Sequence, residues 1–372
     1  MNRSSGSGRA QPRRQHGQII VLAVLAMTTL IGGVALVLEA GNAYAQERGV
    51  QNGADAAANA GATVLAQRLG GTTRTDADVL AAITASGSAN NITIGSGAAY
   101  YTDVAGNPVN AAGTVVPAAA AATVGGGTIP PGAQGVRVGG GRQYGTFFGN
   151  VIGISRLGAA AEATAVTGRL TGGAFLPIVF PVNIVDCNTN GTLGTGEVNW
   201  EISNPGTPPV GQEYIVPLCK TGGGSFMVLD LDPSLTCEQE VTNPPKIQFA
   251  AFPTDVNSDN GNNCAGQMVD EVNALSGTVV FIPICDGNCE TSGGSNAQYH
   301  IIKVAAFYLD YMSDVNNGAN ANCDGNGTTL VPIAGNGSSS CLAGWFVRYI
   351  TSGPVAGGPI GNSDAIGVQL IK

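Results

Sequence analysis

The sequence predicts an α+β protein: a single N-terminal transmembrane helix with a helical extension, a small α/β region, and a mainly-β, disulfide-bonded domain. Three observations carry this prediction. Ile19 to Leu38 (IIVLAVLAMTTLIGGVALVL) contains no charged residue, small residues then recur at every fourth position, and all eight cysteines fall beyond residue 186 among short apolar runs. The chain divides accordingly into an N-terminal tip (1–17), a span (18–38), a small-residue juxtamembrane helix (39–70), a small α/β region (71–172) and a Cys-rich, mainly-β domain (173–372).

The span comes first. A helix rises about 1.5 Å per residue, so a run of this length matches a hydrocarbon thickness of roughly 30 Å. Arg3, Arg9, Arg13, Arg14 and His16 precede it, while Glu39, Glu47 and Arg48 follow it. Positive charge on the N-terminal flank predicts that this end stays in the cytoplasm and that residues from Glu39 onward lie outside. A cleaved signal peptide is the alternative, because Ala43-Tyr44-Ala45 fits a small-x-small cleavage site and would leave a chain starting at Gln46. Signal h-regions run about 7–15 residues, and this run is longer. A buried soluble helix would carry polar interruptions along one face.

Beyond the span, Gly41, Ala45, Gly49, Gly53, Ala57 and Gly61 continue the helical register. Small residues at this spacing form a groove that admits another backbone closely. Steps of four drift by about 40° on a 3.6-residue helix, so the groove winds around the axis. Alanine's helix propensity alone also favours such a pattern, but interspersed glycine and asparagine lower helix stability and point to packing.

The residues of QHGQIIVLAVLAMTTLIGGVALVLEAGNAYAQERGVQNGADAAANAGATVLAQRL resemble the N-terminal module of the TadE/TadG-like Flp (tight adherence) pilus-assembly family. The family's pattern falls on Gly17, Glu39, Gly41, Tyr44, Arg48, Gln51, Asp55, Ala56, Ala57, Ala60, Gly61 and Ala62. Residues 135–168, GVRVGGGRQYGTFFGNVIGISRLGAAAEATAVTG, are similar to the family's strand, Phe-rich helix and small-residue strand. Pilin-like members cleaved by a prepilin peptidase carry Glu at the fifth position after the glycine. That position after Gly17 is Leu22. The resemblance therefore implies a retained anchor in a bacterial cytoplasmic membrane. It implies an accessory role in pilus assembly, with the membrane and pilus-assembly or secretion-platform proteins as partners.

Composition limits the alternatives. Of the formal net charge of −9, the arginines of the first seventeen residues contribute +4, leaving −13 on the remainder. Lysine is confined to Lys220, Lys246, Lys303 and Lys372. Nucleic-acid binding needs a basic face and is not expected. Cys187, Cys219, Cys237, Cys264, Cys285, Cys289, Cys323 and Cys341 form an even set in a segment predicted to be exported, which reads as disulfides. Cys285 with Cys289 and Cys323 with Cys341 are possible local closures among many connectivities. Zinc is the rival reading, but zinc sites use paired CxxC or histidines, and only His300 lies in this region.

Within 71–172, Asp76–Ala85 reads as a helix capped by Thr75. Ala99–Thr102, Gly113–Val116, Gly135–Val138 and Ala159–Thr167 read as strands, Gly145–Ile152 as helix, and Ala118–Ala122 stays open between loop and helix. Composition shifts near Gly172-Gly173. Beyond it, strands are predicted at Leu176–Val185, Glu213–Pro217, Phe226–Leu231, Gly277–Pro283, His300–Leu309 and Trp345–Ile350, with a helix at Val269–Leu275.

One motif points to a metal. Asp186 to Glu197 matches D-x-[DN]-x-[DN]-G-x5-E, offering calcium the side chains of Asp186, Asn188 and Asn190, the Thr192 carbonyl and a bidentate Glu197. The preceding segment reads as a strand rather than an EF-hand helix, and an ordinary Asn/Gly turn is the other reading. Asp232-Pro-Ser234-Leu-Thr236 approaches a D-x-S-x-S metal-adhesion motif, against which stands an Asx/ST turn. No G-x-S-x-G elbow occurs, and a Ser-His-Asp triad would have to recruit His300. No enzyme, no cofactor beyond a possible calcium, and no small-molecule substrate are expected. The expected function is structural. A surface-exposed, calcium-dependent adhesive or binding module sharing only the tether is the alternative.

Overall fold

The computed structural model describes residues 16–182, 203, 209–218, 227–259, 264–290, 298–313, 341–358, 360–361 and 364–371. Two helices open the chain, α1 (His16–Leu69) and α2 (Asp76–Ala89). They are followed by β1 (Ala99–Thr102), β2 (Gly135–Gly145), β3 (Arg156–Leu170), β4 (Gly172–Ala174), β5 (Phe180–Pro181) and β6 (Tyr214–Pro217). Next come α3 (Cys237–Thr242), β7 (Lys246–Gln248), β8 (Thr254–Asn257), α4 (Cys264–Gln267) and α5 (Val269–Asn273). The last strands are β9 (Val279–Glu290), β10 (Gln298–Ser313), β11 (Cys341–Phe346), β12 (Ile350–Ser352), β13 (Val355–Ala356) and β14 (Ile366–Ile371).

α1 is one unbroken helix of 54 residues, about 81 Å long. Its first half is bare. From Val50 onward it becomes one wall of a core that contains Ala54, Ala57, Ala58, Ala62 and Leu65 of α1, Val79 and Ile83 of α2, and Tyr101, Val136 and Val138 of the first sheet. The small side chains of α1 let α2 and the sheet approach closely. A Cβ built on Gly61 would stand 2.9 Å from Ile83 and from Val136, and one on Gly53 would stand 2.8 Å from Ile92. Gly61→Leu is therefore expected to destabilise the protein by about 2 kcal/mol through overpacking. The check is the thermal midpoint of detergent-solubilised protein, with Gly61→Ala intermediate.

α2 starts where the sequence places it. Thr75 caps it, accepting from the Asp78 amide at 3.3 Å while its own amide donates to Asp78 Oδ2 at 2.7 Å. The helix runs four residues past the expected end at Ala85, because Gly87 lets Ile92 and Ile94 fold back against it. Asp76, in its first turn, is buried and accepts from Tyr101 Oη at 2.6 Å and from the Gly125 and Gly127 amides at 2.9 and 2.7 Å. Burial works to raise this carboxyl's pKa, but the three hydrogen bonds outweigh it and hold the pKa below the ordinary aspartate value. The Tyr101 hydroxyl, buried against that carboxylate, is pushed well up.

The first sheet has the order β1-β2-β3-β14-β12, with β13 beside β3. β2 and β3 form a long antiparallel hairpin registered from Gly135↔Val166 to Gly145↔Arg156. β14 lies antiparallel on the far side of β3, and β12 is parallel to β14. β12, β13 and β14 thus belong to the first sheet although they follow the strands of the second in sequence.

The second sheet has the order β5-β9-β10-β11-β6, with β8 also on β10. Alternation along β10 serves two cores. Ile301, Ala305, Phe307 and Leu309 face one cluster with Phe180, Ile282, Leu342, Phe346, the helix residues Val241 and Val272, and Met268 between α4 and α5. Val304 and Ala306 face another that joins Leu170 of β3, Phe175, Phe249, Val347 and Ala365. That second cluster packs the two sheets together. Arg169 donates to the Ile302 carbonyl at 2.6 Å and lies 3.4 Å from the buried Asp364, whose other oxygen is 3.5 Å from Lys303 Nζ.

Several predicted elements change extent. β3 and β10 outrun Ala159–Thr167 and His300–Leu309, β9 starts two residues after Gly277 but runs seven beyond Pro283, and β2 continues seven residues beyond Val138, because cross-strand pairing continues past the apolar stretch. Trp345–Ile350 divides between β11 and β12, which lie in different sheets. Gly113–Val116 is not a strand; it makes one bridge, Val109↔Val115, in a loop rich in tight turns. Ala118–Ala120 is a single 3-10 turn, and helix in the 145–152 segment is limited to the 3-10 turn Gly149–Ile152, since β2 claims Gly145.

Candidate functional site

The first candidate site is the place where α1 leaves the apolar run and meets the β2–β3 hairpin. Glu39 Oε2 accepts from two consecutive amides at the hairpin tip, Phe147 at 2.9 Å and Phe148 at 3.0 Å. One turn on, Asn42 Nδ2 donates to the Gly145 carbonyl at 3.4 Å, and Gln46 donates to Asn42 at 3.2 Å. Higher up, Arg142 lies over Gly49, and Val136 lies over Gly61. β2 therefore runs down α1, antiparallel to it, from residue 61 to residue 39. Glu39 is the acid at the end of the span, and its carboxylate ties the hairpin to the helix.

The small-residue ladder divides along this contact. Gly53, Ala57 and Gly61 are buried and Gly49 is half-buried, with Ile92, Ile83, Val136 and Arg142 of the same chain against the glycines. Gly41 and Ala45 are exposed, and nothing stands within 4 Å of a Cβ built on Gly41. The upper part of the groove is thus filled from within the chain, and the lower part is open. The neighbouring polar residues stabilise the helix surface. Arg48 sits 5.7 Å from the Tyr44 ring centre, and Gln51 donates to Asp55 at 2.8 Å and to the Glu162 carbonyl at 3.3 Å.

In the second region, Cys237 and Cys264 are joined by a disulfide, with Cα atoms 5.7 Å apart, linking α3 to α4. Cys285 and Cys341 each take part in a disulfide as well. Cys289 lies on β9, and Cys187, Cys219 and Cys323 fall outside the described residues. Asp259 approaches the Cys237–Cys264 pair, making the cluster Cys237, Asp259 and Cys264, but bonded sulfurs are not thiolate ligands.

Beside this disulfide lies a group of carboxylates. Glu240 is buried, and its Oε1 accepts from the Leu231 amide at 2.8 Å and the Asp232 amide at 2.7 Å. Burial pushes its pKa up to about 7, the two amides oppose that rise, and the charges of Asp230 and Asp259 add to it. Asp230 is itself raised by burial and by Asp259 and Asp232. A carboxyl raised in the folded state contributes its stability below the unfolded pKa and loses it as pH rises through the folded value. Stability is expected to fall by about 2 kcal/mol between pH 5 and pH 7 from this group. Glu240→Gln should flatten that slope in thermal melts taken across the range.

Asp232 and Ser234 form a turn, with Asp232 Oδ1 accepting from the Ser234 amide at 3.0 Å and its hydroxyl at 2.7 Å. Thr236 caps α3 with Gln239. These hydroxyls have local structural partners. His300 Nδ1 lies 2.7 Å from Asp255 Oδ1 in a cross-strand pair between β10 and β8. The calcium pattern, Asp186, Asn188, Asn190, Thr192 and Glu197, lies outside the described residues.

The hairpin tip itself was not singled out from sequence. TFFGNVIGI reads as a short apolar helix in isolation, and its placement at Glu39 depends on pairing with β3, more than a hundred residues from the span. The available signal was its pattern of large apolar residues without a polar face.

One helix among the described residues, the one that holds Ile19 to Leu38, is long and apolar enough to cross a membrane, with a mean hydropathy of 2.6 over its most apolar window. Searches of curated proteins and of solved structures found no match to this chain. The apolar helix and the family finding together support membrane anchoring and a relation to Flp-pilus proteins. Residues 17–64, which hold the bare span, the Glu39 clasp and most of the docked half of α1, match the model of the putative Flp pilus-assembly TadE/G-like family, and the N-terminal module of this protein is similar to that family.

Proposed function

We propose that the protein is a single-pass protein of a bacterial cytoplasmic membrane. Its N-terminal tip lies inside, its folded region lies outside, and it serves a non-enzymatic, accessory role in Flp pilus assembly. The observation that supports this reading is that the TadE/G-like module is one continuous helix, bare and apolar below Glu39 and built into the protein's own core above Val50. A rigid helix carries the folded region at a fixed height over the bilayer, which a flexible linker would not do. The open ladder positions Gly41 and Ala45, just above the span, suit the close approach of a partner helix. Disulfides agree with an extracytoplasmic location.

The test is in-cell photocrosslinking from Gly41 and Ala45, combined with deletion of the gene. Crosslinks to secretion-platform or pilus proteins and loss of pili are expected. Normal piliation in the deletion strain, with no pilus component crosslinked, would sink the reading.

A second reading, a calcium-dependent adhesive module, rests on the sequence pattern from Asp186 to Glu197. With two carboxylates only, affinity would be weak, about 10⁻⁴ to 10⁻³ M. It requires a calcium-dependent rise in melting temperature that Glu197→Gln abolishes.

A further inference from the structure

The β2–β3 hairpin ends in an apolar tip that the fold leaves uncovered. Phe147, Val151 and Ile152 are 68%, 85% and 76% exposed, and Phe148, Ile154 and Leu157 are exposed as well. Single exposed apolar residues are ordinary, but a contiguous patch marks an interaction site. The backbone beneath them is ordered. Thr146 Oγ1 donates to the Ile154 carbonyl at 2.6 Å, the Thr146 amide to Ser155 at 3.2 Å, and the Ile154 amide to Gly149 at 2.9 Å. Gly153 closes the turn at φ +88°, a conformation that glycine adopts freely. The tip is built to present these side chains.

Its position says what it meets. From Val136 to Phe147 a strand descends about 36 Å, and from Gly61 to Glu39 a helix descends about 33 Å, so β2 keeps pace with α1 along its length. The Phe147 and Phe148 amides reach Glu39, the first residue after the apolar run. Within Ile19–Leu38 every residue is exposed except Ala35, which is partly shielded. Ala35 lies one turn below Glu39 on the face that continues through Asn42, Gln46, Gly49 and Gly53. The docking stripe on α1 therefore extends one turn into the span. Charge agrees: no acidic residue occurs between positions 135 and 161, in a protein whose remainder is strongly acidic, and Arg156 is exposed at the base of the tip.

We propose that the hairpin tip is a second membrane contact, seated in the interfacial layer of the phospholipid bilayer beside α1. Phe147, Phe148, Val151, Ile152 and Ile154 enter the boundary between headgroups and acyl chains, and Arg156 stays at headgroup level. The occupant is lipid because the span fixes the bilayer edge at Glu39, where the patch begins; the proposal rests on α1 crossing the membrane. Two points of attachment fix the tilt and rotation of the folded region, which a single helix leaves free.

The test uses the full chain in phosphatidylcholine vesicles, with or without bromine on the acyl chains. Ile152→Trp is the reporter, Phe147→Trp a second reporter in case the first disturbs the turn, Val115→Trp an exposed control remote from the tip, and Leu25→Trp a control within the span. The spectrum of the parent, with Trp200 and Trp345, is subtracted. The expected result is bromolipid quenching of Ile152→Trp at least about threefold stronger than that of Val115→Trp, with Leu25→Trp also quenched. Quenching of Leu25→Trp alone, with both tip reporters open to aqueous iodide, overturns the proposal and leaves the anchor intact. If Leu25→Trp also escapes quenching, the span reading fails and the proposal with it. A blue-shifted tip emission without bromolipid quenching assigns the patch to contact with a second copy of this chain and overturns the lipid assignment.

Discussion

Replacing both Cys237 and Cys264 by serine should lower stability by about 3.5 kcal/mol, the loop-closure value for a bridge whose ends are 27 residues apart. The bridge joins α3 to α4, two short helices of six and four residues that have little capacity to hold themselves together. Between them run β7 and β8, and β8 is the edge partner of β10. Losing the clamp should therefore loosen the nest around Glu240, and the pH slope assigned to that carboxyl should weaken in the same variant. The double serine variant isolates this bridge, whereas a reductant would also open the bonds of Cys285 and Cys341. A thermal midpoint unchanged from the parent would show that the helices are held by packing alone.

Asp76→Ala is expected to cost about 3 kcal/mol, because it strips the acceptor from the fully buried Tyr101 hydroxyl and from two amides. Gly125 and Gly127 are exposed and can turn to water, so most of the loss falls on Tyr101. Asp76→Asn keeps an acceptor and should lose less. The pH dependence has the opposite sign from that of Glu240. A carboxyl depressed in the folded state contributes stability above its unfolded pKa of about 3.9 and loses it as pH falls through the folded value. Thermal melts between pH 2 and pH 7 should show a shallower acid destabilisation in Asp76→Asn, where Asp78 and Asp232 remain to contribute, than in the parent. An identical acid limb in both would refute the assignment.

Much of this protein is legible without coordinates where the information is local. The uncharged run Ile19–Leu38, the Thr75–Asp78 capping box and the apolar alternation in β10 each lie within a few residues of one another. Helix starts, apolar spans and strand faces depend on spacing, and spacing is written in the chain. The every-fourth small residues were also visible, but their occupant was not. Gly53, Ala57 and Gly61 could receive a partner helix or part of the same chain, and periodicity is identical in both cases.

The ladder, the clasp and the C-terminal strand depend on contacts between distant residues. Glu39 meets Phe147 across 108 positions, and β14 completes the sheet of β3 after the whole second sheet has intervened. Sequence by itself determined that the chain has an apolar helix of membrane length, a TadE/G-like module around it and a cysteine-rich β region beyond. Only the tertiary structure decided that the helix is rooted in the protein's own core and that an uncovered hairpin tip stands at the end of the span. The physical reason is that periodicity specifies which face of an element is buried, while the identity of what buries it depends on long-range pairing and shape.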